Sequence, residues 1–276
     1  MIIIADGGST KTDWNVGEEN KFRRIITKGI NPFFQSEEEI CDLICGELLP
    51  ELTTNTLDAL HFYGAGCLPE KVAMMQKAIT KCLELTTLSI NSDMLGAARG
   101  LCGKEPGIVG ILGTGSNSCY YDGEKIENNV SPLGFILGDE GSGAVLGKLF
   151  VGDILKNQMP SGLKDKFLQY FDLTPSMIVE RVYRQPFPNR FLAGFVPFIA
   201  QNIEIPEVRT LVLNSFKSFL RRNVMQYDYR NNKVYFVGSV AYHFKGFLKE
   251  VVHEMGMQLG NIVISPMEGL IAYHDR

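Results

Sequence analysis

Apolar positions recur along this chain with two periods. Short runs of Ile, Val, Leu and aromatic residues near 2–5, 12–16, 22–27, 58–63 and 86–91, bounded by Gly, Asn and charged residues, predict strands. The first three are joined by short polar turns such as Glu18-Glu19-Asn20 and read as an antiparallel meander that leads into a parallel continuation. Ser36 with Glu39 three residues on, ahead of an apolar-periodic run, predicts a capped helix to about Leu49, and Pro69 opens a second to about Leu83. From Gly107 the pattern restarts with strands near 107–112 and 117–121, as a duplicated strand-turn-strand unit would. Helices follow over 142–156, 175–183, 190–202 and 206–227, then a strand at 233–237, a helix at 240–255, a strand at 260–264 and a last helix from Pro266. The helix-rich stretch from Gln158 to Arg230 carries no motif and reads as an insertion in a second domain. No low-complexity linker separates the halves, so a hinge is expected near Leu101–Gly107.

Two predicted strands end in glycine turns. The first runs into Asp6-Gly7-Gly8-Ser9-Thr10-Lys11-Thr12 and the other into Gly113-Thr114-Gly115-Ser116. Glycine lets backbone N–H groups approach phosphate oxygens where a Cβ would intervene, and the hydroxyls add donors, so the pair suits a grip on a nucleotide's phosphates from both sides. Asp6 would repel a bare triphosphate, which fits a Mg²⁺ held partly through water between carboxylate and phosphates. Either turn alone is also an ordinary strand end. A third strand, Val234–Val237, runs into Gly238-Ser239-Val240-Ala241 ahead of a helical pattern, a shape that lays backbone against an adenine ring. Gly141 to Lys148 imitates a P-loop, but its glycine spacing is off by one and Leu149 stands where the Mg²⁺-binding hydroxyl belongs.

In order and spacing these turns resemble the sugar kinase, Hsp70 and actin superfamily. Within it they are similar to the N-acetylglucosamine kinases and the related ATPases that activate acyl-CoA reductases and dehydratases. Gly134 to Gly143, with Gly138-Asp139-Glu140-Gly141-Ser142 at its centre, is similar to the signature of the N-acetylglucosamine kinases. The resemblance implies an α/β fold of two ribonuclease-H-like domains, a duplicated mixed sheet flanked by helices, around a nucleotide cleft. Residues 1–103 would form the N-terminal actin-like domain and 104–276 the C-terminal one, with the last helix, about 266–276, free to pack back on the first. ATP and Mg²⁺ are implied as cofactors. Gly7, Gly8, Ser9, Thr10, Lys11, Thr12, Gly113, Thr114, Gly115, Ser116, Gly238, Ser239 and Ala241 would contact ATP, and Asp6 the metal.

Phosphoryl transfer to a sugar hydroxyl is mostly positioning and charge neutralisation, with one carboxylate to take the hydroxyl proton. Asp93 lies between the strand Thr86–Ile90 and the helical run Met94–Leu101, and at that corner a carboxylate points into a cleft. It matches the family's catalytic base, and it is equally a good N-cap. Adjacent acids on a strand face opposite ways, so one of Asp139 and Glu140 is expected in the cleft. By resemblance this is Asp139, on sugar hydroxyls, leaving Glu140 for the first turn of the helix near Ser142; capping by both stays open. Asn31, before Pro32, is either a sugar-reading amide or a turn former. Asn117 would meet an acetamido group, and Gly134 and Phe135 complete the sugar side. Phe135 stands where the kinases carry Trp; it can pack on a sugar face but has no indole N–H.

A chain of 276 residues with 45% hydrophobic content can fill two cores. Net charge −4 argues against a nucleic-acid or membrane surface. The opening Ile2-Ile3-Ile4 is too short for a signal segment, no apolar run approaches a membrane span, and a cytoplasmic enzyme is expected. The six cysteines show no C-x₂-C spacing and no nearby His, so they are expected to be buried reduced thiols, Cys41 and Cys45 facing the core from one helix. Neither the clustered motif of zinc-bearing relatives nor an evident iron–sulfur set is present. The resemblance implies an ATP-dependent kinase of an N-acetylated amino sugar, N-acetylglucosamine first and N-acetylmuramic acid second, acting at the 6-hydroxyl, with a homodimer left open. The alternatives are an ATPase that activates a partner enzyme and a non-catalytic sugar sensor.

Overall fold

The computed structural model describes residues 1–8, 10–18 and 21–274. The chain divides into two compact units, Met1–Lys104 with Gly123–Lys125 and Pro266–Arg276, and Glu105–Asp122 with Ile126–Ser265.

The first unit is built on β1 (Ile2–Gly7), β2 (Lys11–Glu18), β3 (Lys21–Lys28), β4 (Thr56–Gly64) and β5 (Glu84–Ser92), in the order β3-β2-β1-β4-β5. β1 to β3 form the expected antiparallel meander, while β4 and β5 extend the sheet in parallel on the far side of β1. Ile3, Ala5, Trp14, Leu60 and Phe62 fill the core, and the Trp14 and Phe62 rings lie 5.7 Å apart. Gly7 and Gly64 face each other across the parallel pair because of that phenylalanine. A Cβ at Gly7 would come within 2.6 Å of the Phe62 ring, and one at Gly64 within 2.4 Å.

Four helices cover this sheet: α1 (Glu37–Leu43), α2 (Pro69–Thr80), α3 (Asp93–Cys102) and α13 (Met267–His274). The Ser36/Glu39 capping box forms as expected. α1 then widens into a π-helical turn, Ile44–Leu48. α3 and α13 cross backbone on backbone, and a Cβ on Gly269 would lie 1.7 Å from the Gly100 carbonyl oxygen. The expectation of reduced cysteines is corrected here. Cys45, in the π turn, is joined to Cys82, just past α2, by a disulfide. Periodicity places Cys45 on a helix but is silent about a partner brought up by another helix.

The second unit repeats the topology. β6 (Gly107–Leu112), β7 (Ser116–Tyr121), β8 (Ile126–Val130), β9 (Val234–Val237) and β10 (Leu259–Val263) take the order β10-β9-β6-β7-β8. β6 pairs antiparallel with β7 and parallel with β9, as β1 does with β2 and β4. β8 was not anticipated because Glu127, Asn128 and Asn129 break any apolar alternation. The helices are α4 (Gly134–Leu137), α5 (Gly143–Leu155), α6 (Leu163–Phe171), α7 (Pro175–Tyr183), α8 (Pro188–Ala193), α9 (Val196–Gln201), α10 (Pro206–Arg222), α11 (Ser239–His243) and α12 (Lys245–Glu254). The single helix expected over 190–202 is broken at Gly194, ahead of Pro197, and the one over 240–255 at Phe244, whose ring is buried. Helix α10 ends at Arg222, short of the expected Tyr227, and gives way to a 3₁₀ turn. Phe150, Phe167, Phe195 and Phe198 pack around one another in this core, Phe167 meeting the other three edge-on at 5.0–5.4 Å. Among the described residues no helix is long and apolar enough to cross a membrane.

Helix α5 carries its own control for glycine. A Cβ on Gly147 would sit 2.0 Å from the Leu192 carbonyl oxygen, whereas Gly152 has open space. We expect Gly147→Ala to destabilise by about 1–3 kcal/mol or more and Gly152→Ala to stabilise by about 0.4–1 kcal/mol, read from urea unfolding midpoints. Equal effects at both positions would refute the close approach of α5 and α8.

Candidate active site

In the first unit three carboxylates converge. Asp6, near the end of β1, stands opposite Asp13 of β2 in the antiparallel register. Asp93 follows directly on β5, whose end lies beside that of β4, itself alongside β1. Burial pushes the Asp6 carboxyl up to about 7, helped by the charges of Asp93 and then Asp13, with Lys11 opposing. Asp13 was missed by the sequence reading. It is 6% exposed and held by a fork of the Arg24 guanidinium, whose Nε lies 2.8 and 2.9 Å from its two oxygens. A signal was present: Asp13 shares a strand face with Lys11 and Asn15 and sits across from the Asp6 end of β1.

Ser92 is the N-cap of α3, its Oγ accepting the Leu95 N–H at 3.2 Å. Asp93 is the first helical residue, and its Oδ1 accepts the adjacent Met94 N–H at 2.9 Å. Burial holds this half-buried carboxyl above its ordinary range, while the N–H groups of Met94 and of Asp93 itself pull the other way.

The first glycine turn is a tight hairpin tip closed by the Gly8 N–H on the Lys11 carbonyl at 2.9 Å. Thr10 and Lys11 are exposed, whereas Ser9 lies outside the described residues. Thr12 is fully buried, and its hydroxyl accepts the Ile30 N–H at 3.0 Å. This holds the loop that carries Asn31 rather than facing a ligand. Asn31 takes its turn-forming role, with Oδ1 accepting the Phe33 N–H at 3.0 Å and the backbone carbonyl those of Phe34 and Gln35.

In the second unit the Gly113–Ser116 turn is pinned from behind. The Gly143 and Ala144 N–H groups, in the first turn of α5, donate to the Gly113 and Thr114 carbonyls at 2.8 and 3.0 Å. Ser142 caps that helix. The Asp139 carboxylate accepts the N–H groups of Ser116 and Gly134, yet burial dominates and raises it to about 6, aided by Glu140 and opposed by those bonds and Lys148. A Cβ on Gly115 would come within 2.9 Å of Asp139 Oδ2. Asp139 itself has φ +54°, in the left-handed region. Thr114 is exposed and Ser116 buried. Gly238, at φ +117°, brings the third turn against the second: a Cβ there would be 2.4 Å from the Leu112 carbonyl oxygen. Ser239 beyond it is exposed and Ala241 is buried.

Glu140 departs from expectation. It pairs with Arg222 of α10 and lies 3.4 Å from Asn223 Nδ2, so the first turn of α5 does without it. Arg222 is distant in the chain, and no local pattern announces it. Asn117 Oδ1 is engaged within the sheet, by the Ser118 N–H at 2.8 Å and Asn129 Nδ2 at 3.0 Å. Half-buried Phe135 receives Lys148 Nζ on its backbone carbonyl at 2.6 Å, which also accounts for the lysine of the false P-loop. Gly134, with φ +73°, is exposed.

A solved structure from Porphyromonas gingivalis, provisionally named an N-acetylglucosamine kinase, is 54% identical to this chain, with a TM-score of 0.97 over 99% of this chain and 98% of that one. The chain belongs to the N-acetylglucosamine kinase-like family. This places it in the sugar kinase, Hsp70 and actin superfamily, in keeping with its two like sheets. Lower identities show the shared fold alone. A protein of the same provisional name from Chromobacterium violaceum matches at 17% identity and TM-score 0.76, over 99% of this chain and 98% of that one. A glucokinase from Streptomyces griseus, solved with glucose and AMPPNP, matches at 14% and 0.55 over the same shares. No protein-family model and no curated protein matches the chain.

In this family member the raised carboxyl of Asp6 has a signed consequence. The folded protein keeps a proton on Asp6 up to about pH 7, whereas an unfolded carboxyl releases it near 3.9. The associated stability is present at low pH and is lost as pH rises through about 7. Asp6→Asn should therefore raise the melting temperature at pH 8, by on the order of 1–3 kcal/mol of stability, with the gap closing toward pH 5. Thermal melts across that range measure it, and a mutant less stable than wild type at pH 8 would show Asp6 to be a structural anchor.

Proposed function

We propose that this sugar kinase transfers the γ-phosphoryl group of ATP to the 6-hydroxyl of an N-acetylated amino sugar, N-acetylglucosamine ahead of N-acetylmuramic acid. The observation that carries the reading is Asp93. Its helix is capped by Ser92, so its carboxylate is not committed to that task, and burial raises its affinity for a proton, the property a general base uses. Asp93 takes the proton of the attacking hydroxyl. The names of the relatives support the sugar class, and the 54% identity supports the amino sugar.

Asp6 is assigned to Mg²⁺. The donors around it are hard carboxylate oxygens; burial first, and then the charges of Asp93 and Asp13, hold Asp6 protonated to about pH 7, and a divalent cation would relieve both costs. Bound there, the metal would neutralise phosphate charge. The hairpin tip Gly7–Lys11 and the Gly113–Ser116 turn are assigned to the phosphates, with Thr12 bracing the tip from within, and Gly238, Ser239 and Ala241 to the adenosine side. Asp139, Gly134, Phe135, Asn31 and Asn117 are assigned to the sugar. The two asparagines have carboxamide oxygens already engaged, so those are not the atoms offered to it.

Coupled ADP release measured across a panel of sugars tests the proposal. N-acetylglucosamine should give the highest rate, and the rate without sugar should be close to zero. Asp93→Asn should cut the sugar-dependent rate by about 10²–10⁴-fold with sugar affinity within about tenfold. ADP release that ignores sugar would indicate a partner-activating ATPase, and a mutant keeping more than about a tenth of the rate would remove Asp93 from the chemistry.

A further inference from the structure

Cys41, Cys45 and Cys82 lie together in the first unit, outside the residues assigned to phosphoryl transfer. Cys45 is joined to Cys82. Cys41, one helical turn before Cys45, places its Sγ 3.4 Å from Cys82 Sγ, and the three sulfurs lie within 4.8 Å of one another. A structural staple uses two sulfurs. A third at contact distance from one of them is the arrangement of thiol–disulfide exchange, in which an incoming thiolate displaces one sulfur from the other.

We propose that Cys41, Cys45 and Cys82 form a redox exchange site that takes low-molecular-weight thiols and disulfides as substrates. The Cys41 thiolate attacks Cys82 Sγ. The Cys41–Cys82 bond forms as the Cys45–Cys82 bond breaks, and Cys45 leaves as a thiolate that picks up the proton Cys41 released to water. No net oxidation accompanies this step. Forming either bond from three thiols removes two electrons and two protons, and these reduce one molecule of a disulfide such as oxidised glutathione to two thiols. A dithiol reductant reverses it.

Three features suit the sulfurs to these roles. Cys41 and Cys45 are partly exposed while Cys82 is 7% exposed, so small thiols enter through the first two and Cys82 is the shared internal partner. Cys45 stands in the π-helical turn, a departure from α geometry common at functional positions. Lys81 puts an ammonium beside the site. Its own affinity for a proton is raised first by Glu37, which it meets at 2.6 Å, and also by Cys41, so the cation and that sulfur are within electrostatic reach. The remaining cysteines differ. Burial pushes the Cys67 and Cys102 thiols up to about 12, and Cys119 is wholly buried on β7.

The bond also lies where it could reach the catalytic corner. Cys82 precedes β5, the strand that leads to Asp93, and β5 is the edge of its sheet. Exchange changes which turn of the α1 helix is tied to the start of that strand.

The test uses the full-length protein, held at pH 8 with oxidised glutathione, quenched in acid, alkylated and mapped by mass spectrometry without reduction. Both Cys45–Cys82 and Cys41–Cys82 linkages are expected in the wild type. Cys45→Ser should give only the second and Cys41→Ser only the first, with Cys67, Cys102 and Cys119 unlabelled until the protein is denatured. Circular dichroism confirms that each variant is folded, and the wild-type map stands without them. A wild type with Cys45–Cys82 alone and Cys41 fully alkylated would overturn the proposal. So would a reduced protein that binds one equivalent of Zn²⁺ tightly enough to shield all three thiols from oxidised glutathione, which would make the cluster a metal site. ADP release with sugar, measured in the same samples, keeps the proposal separate from the kinase assignment, since exchange mapping does not depend on it.

Discussion

Burying carboxylates side by side is the constraint on which the first unit is organised. The β1–β2 register sets Asp6 against Asp13, and the parallel extension through β4 and β5 delivers Asp93 to the same end of the sheet. Coulomb repulsion among such groups is strong where water is scarce, and the protein answers it unevenly. Asp13 is forked by Arg24. At Asp6 burial adds to the repulsion and Lys11 opposes them only in part, which leaves it protonated to about pH 7. A site held this way is poor at keeping two bare charges and well suited to a cation or a proton in transit.

The second unit solves a different problem with the same topology. Its glycine turn must have its own backbone satisfied, and the carbonyls of Gly113 and Thr114 are taken by the start of α5. Asp139 ties the other end of the turn through the Ser116 N–H, at the cost of a left-handed backbone. The glycines therefore answer to their own neighbours first. Gly7 makes room for Phe62, Gly115 for the Asp139 carboxylate and Gly238 for the Leu112 carbonyl. A glycine-rich turn that reads as a phosphate cradle is, in each case, also a packing requirement.

The α3–α13 crossing shows how firmly the end of the chain is built into the first unit. Gly100 and Gly269 allow the helices to touch backbone to backbone. Tyr63 joins them through polar contacts, with His274 Nε2 at 2.8 Å and an Arg99 N–H at 3.0 Å. Desolvation holds His274 down to about 4, aided by His61 and Arg99, so this helix is fastened by a neutral imidazole across the neutral pH range.

What the sequence determined by itself was local. Alternation of side chains along a strand, the Ser36/Glu39 box and glycine at strand ends act over a few residues, so the first meander, the strand-turn-strand restart at Gly107 and the corner occupied by Asp93 were legible. The breaks at Gly194 and Phe244 and the polar edge strand β8 were not, because packing overrides periodicity there. Only the tertiary structure decided that Ser92 and not Asp93 caps α3, that Thr12 turns inward to Ile30, that Glu140 belongs to Arg222 and that Cys45 belongs to Cys82. Each of these depends on which groups meet through space. Partners brought together by different elements leave no periodic trace, and a carboxylate, hydroxyl or thiol takes its role from the partner it meets.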